Sequence, residues 1–304
     1  MERIKARPGR RDERALRRGD RINWRKEARL LPGYAVLSLW VLFTVVLIGW
    51  IFAASFSTTR DIFRGDALRF PTGLHFENYV KAWVSQNVSV FFVNSLGYAS
   101  VSTVLLILIA APAAYVLSRF KFFLNRPIQS GFVTAMGIPV VMVILPLFSV
   151  VTQLQMLRQD ITVRILMVFL YVGINIPYTA IFLLAFFSGL SRSYEEAAAI
   201  DGCPPMRTFW RIMLPLAQPG VITVSIFNFI NIWNEYFMSL IFASGDRTRP
   251  VAVGLYSMIN SMKYTGDWAG MFAAVIIVFL PTFVLYMFLS ERIIAGVTGG
   301  GVKG

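Results

Sequence analysis

The chain is poor in the residues that do chemistry. Its 304 residues include one histidine, His75, and one cysteine, Cys203. That excludes the HExxH zinc site, a histidine-rich metal centre, a cysteine-based zinc site and an intrachain disulfide framework. No GxxxxGK[ST] phosphate loop occurs. The terminal Gly299-Gly300-Gly301-Val302-Lys303-Gly304 has a different spacing and no helix after it, so the chain has no ATPase site of its own. A serine–histidine pair would have to use His75, whose setting in Leu74-His75-Phe76-Glu77-Asn78-Tyr79 reads as a structured loop. Charge is scarce as well, at 15% of residues against 56% hydrophobic, with mean hydropathy +0.62.

What the chain has instead is long charge-free stretches, the profile of a multispanning membrane protein. About 20 apolar residues cross the hydrocarbon, so each longer gap between charges counts as a span. Six gaps qualify, predicting an all-α integral membrane protein with spans near 32–55, 93–118, 128–155, 165–189, 219–242 and 269–290. The fifth passes one acid, Glu235. Twelve of the 29 Lys and Arg precede Leu30. Alternating the spans puts Arg119, Lys121, Arg126, Arg192, Arg207, Arg211, Arg292 and Lys303 on the same side as that tail. By the positive-inside rule both termini are then cytoplasmic. The apolar run after Arg29 is long for a cleaved signal peptide, and none is expected. The domain reading is a basic tail over 1–30, partly disordered, and a six-helix domain over 31–304. The net charge of +13 does not argue for nucleic acid, because the cations concentrate beside a span. It fits attraction of the tail to anionic membrane lipid.

Inside the spans, Glu235 is the sole acid. It sits in Asn231-Ile232-Trp233-Asn234-Glu235-Tyr236, toward the outer end of span five. Two readings stand. Glu235 ends the apolar core, with Trp233 and Tyr236 as interfacial aromatics. Alternatively Asn231, Asn234 and Glu235, at i, i+3 and i+4, form a polar helix face lining a path for a hydroxylated ligand.

The hydrophobic pattern breaks on the cytoplasmic side at 191–218. Ser193-Tyr194-Glu195-Glu196 has the spacing of a capping box, with Ser193 as cap and Glu196 reaching back. Ala197, Ala198 and Ala199 extend a helix with little surface bulk. Gly202 suits the position past its end, and Pro204 and Pro205 block continuation. A second short helix is predicted from Met206 to Pro215. Such a pair either docks into another protein or only joins two spans at the membrane surface, with Phe209 and Trp210 in lipid.

Glu196-Ala197-Ala198, three residues, Gly202, nine residues, Ile212-Met213-Leu214-Pro215 resembles the EAA loop of permease subunits of binding-protein-dependent ABC importers. Phe76-Glu77-Asn78-Tyr79, Asn94-Ser95-Leu96, Trp233-Asn234-Glu235 and the Ala295-to-Gly304 tail are similar to the carbohydrate branch, that of the maltose transporter's inner-membrane subunits. The likeness runs from Pro32 to Gly304. Ser191 and Ser193 depart from it, standing where relatives often have a proline and then an acid. The resemblance implies a type I importer permease fold and a complex with a second permease, two ATPase subunits and an extracytoplasmic solute-binding protein. It implies ATP and magnesium on the ATPases and no cofactor on this chain. Glu195, Glu196, Ala197, Ala198, Asp201, Gly202, Ile212, Leu214 and Pro215 would couple to the ATPase. Asn231, Trp233, Asn234, Glu235 and Tyr236 would line the solute pathway, and the loop over 244–268 would face the binding protein. A proton-coupled carrier using Glu235 and a membrane scaffold are the competing classes.

Overall fold

The computed structural model describes residues 24–63 and 73–299. The basic tail up to residue 23 and the terminal glycines from 300 lie outside the described residues. Every regular element among the described residues is helical. Four helices are long and apolar enough to cross a membrane: α1 (Trp24–Ser55), α4 (Val88–Arg119), α7 (Asp160–Gly189) and α13 (Trp268–Gly299). Between α1 and α4 lie two short helices, α2 (Thr59–Phe63) and α3 (Glu77–Val80), the latter running on through a π turn, Lys81–Ser85. Helix α1 up to Ala53 falls in one unit, and the chain from Ala54, which includes the last two residues of α1, packs as a second unit.

The third and fifth expected spans are not straight helices. In place of 128–155 stand α5 (Asn125–Met136) and α6 (Val140–Gln153), bent by 94°. Pro139 is extended, at φ −61 and ψ 126, and a residue before proline avoids the helical region. The helix therefore ends in i→i−3 bonds from Gly137 to Thr134 and from Ile138 to Ala135. In place of 219–242, α10 (Gln218–Trp233) stops before Asn234, and a one-turn helix α11 (Phe237–Phe242) follows. The segment expected as an outer loop over 244–268 is largely helical, forming α12 (Val251–Thr265).

Within the second unit, α4 and α7 pack along their length, with α10 against both. Small residues contribute to the contact, with Ala110, Ala111, Ala114 and Ala180 all buried beside larger side chains such as Tyr98, Tyr171, Tyr115 and Phe187. Close backbone approach is how helices gain packing where lipid removes the hydrophobic drive. Gly220 carries this furthest, since a Cβ there would overlap the Phe186 ring. Large apolar side chains such as Leu145, Phe169 and Phe288 face outward. On a membrane chain such a surface suits lipid or a neighbouring membrane subunit better than water.

The motif residues between Phe76 and Ser95 hold backbone in place. Asn78 donates through Nδ2 to the Ser55 and Ser57 carbonyls, at 3.0 and 2.9 Å. The Tyr79 and Ser55 hydroxyls are 2.7 Å apart, and burial raises the Tyr79 hydroxyl above its ordinary range, partly offset by that bond. Asn94 donates to the Arg247 and Arg249 carbonyls, and the Ser95 hydroxyl accepts the Val251 N–H at 2.9 Å. His75 is hydrogen-bonded to Glu77, through Nδ1 at 3.0 Å, as part of this loop.

Candidate functional site

Two regions combine exposure with ordered polar chemistry. The first is the break at 191–218, which forms α8 (Ser193–Ile200) and α9 (Pro205–Leu216), the latter with a π turn at Phe209–Met213. Helix α9 meets α10 at 75°. The capping box does not form. Leu190 is extended and Arg192 is already helical, at φ −70 and ψ −19, so the Arg192 carbonyl receives the Glu195 and Glu196 N–H groups. The helix thus starts one residue before the box requires. Ser191 does the capping work instead, its hydroxyl accepting the Ser193 N–H at 3.3 Å, and Glu196 is left exposed.

Glu195 turns inward. Its Oε1 lies 3.1 Å from Nε of Arg119, at the end of α4, with the two side chains 21% and 6% exposed. The N–H is not aligned as a hydrogen bond, so the pair is held by charge. Arg119 also donates from Nη2 to the Leu190 carbonyl at 2.9 Å. One guanidinium therefore ties the end of a spanning helix to both the entry and the first turn of α8. Ala198 is buried, whereas Ala197, Ala199 and Asp201 are exposed and Ile200 is 87% exposed. Among the described residues no side chain pairs with Glu196. The helix ends in a Schellman arrangement, Cys203 N–H to the Ala198 carbonyl and Gly202 N–H to the Ala199 carbonyl.

Gly202 has φ +71 with nothing within 4 Å of where a Cβ would stand. Gly202→Ala is thus a backbone penalty without a clash, about 1 kcal/mol of local stability. Hydrogen exchange is expected to speed up at the amides of Gly202 and Cys203, with the spans unchanged. Helix α9 is anchored from the other side: Phe209 and Met213 are buried against Tyr115, Phe187 and Leu183, with Ile212 and Leu214 packed beside them. Phe209 is core, not lipid-facing as the joining reading had it. Pro215 is exposed and has no N–H to give the turn before it, where the Leu214 N–H reaches back five residues to Phe209.

The second region joins α7 and α10. Asn231 donates to Oδ1 of Asn175 at 3.1 Å, and Asn175 donates to the Tyr171 carbonyl at 2.8 Å. Buried Asn228 donates to the Thr179 hydroxyl at 2.9 Å. Asn175, Tyr178, Phe227, Asn228 and Asn231 line a cavity of about 330 Å³. The expected single face of Asn231, Asn234 and Glu235 is not built, because the helix ends at Trp233. Asn234 is exposed and folds back onto the Ile230 carbonyl. Trp233 is 1% exposed, between Phe92 and Phe229. Tyr236 packs edge-on against Tyr256. Glu235 caps α11: Oε1 accepts the Met238 N–H at 2.6 Å, and Oε2 accepts the Ser239 N–H at 3.0 Å and its hydroxyl at 2.7 Å. The Tyr171 hydroxyl lies 3.2 Å from the same oxygen. Asn175 and Asn228 escaped the sequence reading, which searched the spans for charge. The signal for Asn228 was its spacing from Asn231, one helical turn, while Asn175 joins them only through tertiary packing. Among the described residues no group of His, Cys, Asp and Glu could hold a metal.

The family model of binding-protein-dependent transport system inner membrane components matches residues 103–298, which take in the break at 191–218 and the amide cluster. The chain belongs to that family. It is 32% identical over 267 residues to the diacetylchitobiose uptake system permease protein NgcG of Streptomyces coelicolor, covering 88% of this chain and 87% of that one. It is 31% identical to the sulfoquinovosyl glycerol transport system permease protein SmoH of Agrobacterium fabrum, covering 84% and 87%. Its fold matches, with a TM-score of 0.78 at 20% identity over 89% of this chain and 98% of the other, a bacterial ABC transporter involved in import of the acidic polysaccharide alginate. This chain is therefore a membrane permease subunit of an ABC importer, working with a partner permease, an ATPase and a solute-binding protein. It is not itself an ATPase. The proton-coupled carrier is not favoured, and Glu235 is placed as a helix cap.

Proposed function

We propose that this subunit forms, with a second and different permease, the pathway for a sugar, oligosaccharide or similar hydroxylated solute, and that α8 is its coupling element. In this reading the chain crosses six times, each bent pair counting as one crossing, with both termini and α8 cytoplasmic. Two ATPase subunits carry the ATP and magnesium. The observation that carries the reading is the construction of α8. One face is fastened by Glu195 and Ala198, and the opposite face offers Glu196, Ala197, Ile200 and Asp201 free to solvent. Ile200, 87% exposed beside the exposed alanines Ala197 and Ala199, gives that face an apolar contact point for a partner. A carboxylate with no partner beside it gives that contact a charge to read.

ATP-driven closure of the ATPases would push on α8, and the Glu195–Arg119 tie would pass the push to α4 while α9 passes it to α10. Glu196→Gln separates contact from local structure, because Glu196 makes no cap that glutamine could lose. The expected result is normal insertion of this chain and loss of most ATPase co-purification. Full assembly in Glu196→Gln would remove Glu196 from the contact.

For the solute, the named relatives carry diacetylchitobiose and sulfoquinovosyl glycerol, and the amides of Asn175, Asn228 and Asn231 offer both donors and acceptors to hydroxyl groups. Asn231→Leu is expected to raise the solute concentration for half-maximal uptake about tenfold, the size of one or two hydrogen bonds. ATPase assembly should be unchanged, and unchanged uptake would take Asn231 out of the pathway.

A further inference from the structure

Helix α4 is one unbroken element of 32 residues, and side chains near both of its ends are bonded to backbone elsewhere in the chain. At the end near α8, Arg119 donates to the Leu190 carbonyl and pairs with Glu195. One turn earlier the Tyr115 ring packs on Phe187 of α7 and Phe209 of α9, with centroids 5.6 and 5.1 Å away. The opposite end is fastened just as firmly, to the loop over 244–250 and the start of α12. Asn94 donates through Nδ2 to the Arg247 and Arg249 carbonyls, at 2.9 and 3.1 Å. The Tyr98 hydroxyl donates to the Thr248 carbonyl at 2.8 Å, and the Ser95 hydroxyl accepts the Val251 N–H at 2.9 Å. Backbone groups of residues 247, 248, 249 and 251 are thereby held by a single helix.

The base of that loop is built to stay in place. Asn94, Ser95, Tyr98 and Thr248 are buried, and losing the Tyr98 hydroxyl would take the donor from a buried carbonyl. Close packing adds to the bonds. A Cβ on Gly254 would overlap the Phe91 ring, and the Arg249 guanidinium stands 5.7 Å from the centre of the same ring. The tip is the opposite: Ser244, Gly245, Asp246 and Arg247 are exposed. Because α4 grips the backbone, the side chains of the tip remain free to fit a partner.

Between the two fastenings α4 runs about 37 Å from Asn94 to Arg119, at about 1.5 Å per residue. Pro112 removes one backbone bond on the way, and Ala110, Ala111 and Ala114 are buried around it, so the helix is braced where it is weakest. Helix α7 also reaches both ends, through Phe187 and through Arg164, which donates to the Arg247 carbonyl at 2.9 Å. That outer bond is single and exposed, whereas those of α4 are several and on buried side chains. We infer that Asn94, Ser95 and Tyr98 are positioning residues of the transport cycle. Through them α4 acts as a strut that moves the loop over 244–250 together with α8, so that closure of the ATPases on one face shifts the surface offered to the solute-binding protein on the other. This rests on the orientation and the coupling role proposed above.

The test uses the complete importer in proteoliposomes with its binding protein, and reads solute imported per ATP hydrolysed. Tyr98→Phe removes one hydroxyl and keeps the ring that packs on Tyr171. It is expected to lower that ratio about fivefold, the size of one hydrogen bond. A subunit that was merely less stable would lose uptake and hydrolysis in equal proportion, leaving the ratio unchanged. Arg119→Leu should lower the ratio as well, and the double variant should be no lower than the worse single, because both cut one path. A second readout is a fluorophore on Arg247→Cys, at the exposed tip, in a Cys203→Ser background. Its signal should change when ATP and vanadate trap the closed ATPases, and the change should be lost in Arg119→Leu and in Tyr98→Phe. An unchanged ratio in Tyr98→Phe, losses that multiply in the double variant, or a tip response kept in both variants overturns the strut. An impermeant maleimide separates this from the reading beneath it. Labelling of Arg247→Cys from the cytoplasmic face alone overturns the orientation, whereas labelling from outside with an unchanged ratio overturns the strut and leaves the orientation standing.

Discussion

Glu235→Ala is expected to destabilise the subunit by about 3 kcal/mol, seen as a lower midpoint of thermal unfolding in detergent. The carboxylate receives two backbone N–H groups, those of Met238 and Ser239, together with the Ser239 hydroxyl. Those N–H groups open α11, and Met238 and Ser239 are buried, so no water replaces the lost acceptor. The Ser239 and Tyr171 hydroxyls, 2.6 Å apart, keep each other and soften the loss. Glu235→Gln retains one acceptor oxygen and should fall between wild type and alanine in stability. Uptake should follow stability through the series. A proton-carrying Glu235 would give another pattern, with alanine and glutamine equally inactive and the glutamine variant as stable as wild type.

Arg119→Leu is expected to cost about 2 kcal/mol and to uncouple α8 from α4. Removing one partner of a fully buried ion pair costs about 3–5 kcal/mol, because the other charge is stranded. Glu195 is 21% exposed and can recover part of that from water, which lowers the figure. The Leu190 carbonyl loses its donor as well. The double variant Arg119→Leu with Glu195→Leu strands no charge and should regain part of the stability, giving a non-additive cycle. In the assembled importer, Arg119→Leu should lower uptake more than it lowers ATP hydrolysis, since α8 would still sit on the ATPase but no longer pull α4. Equal loss of both activities would make the pair a matter of stability alone.

The four long apolar helices were legible, because lipid demands apolar length and charge-free gaps measure length. The breaks in the third and fifth apolar stretches were not. Gly137 and Pro139 were visible in the sequence as a break signal, but a count of gaps gives no weight to two residues in a long apolar run. At 191–218 the stops written by Gly202, Pro204 and Pro205 stand where the sequence placed them, because helix ends are local chemistry. The helix start was misread by one residue. Ser193 and Ser191 are both able to cap, and the choice went to Ser191 because Leu190 is extended and pinned by Arg119, 71 residues earlier. The polar centre was the least legible part. Glu235 drew notice as a lone acid, yet its donors belong to the next turn and to α7. Asn175 and Asn228 carry no charge and meet only when α7 and α10 pack. Trp233 reads as interfacial beside a charge and is in fact wedged between Phe92 and Phe229.

The most direct measurement is uptake into proteoliposomes holding this chain, its partner permease and the ATPase, with a proton uncoupler as the control. Accumulation of a hydroxylated solute that requires both ATP and the binding protein, and that continues with the uncoupler present, is the predicted result. Uptake that proceeds without ATP, or that collapses with the uncoupler while ATP is abundant, would contradict the account.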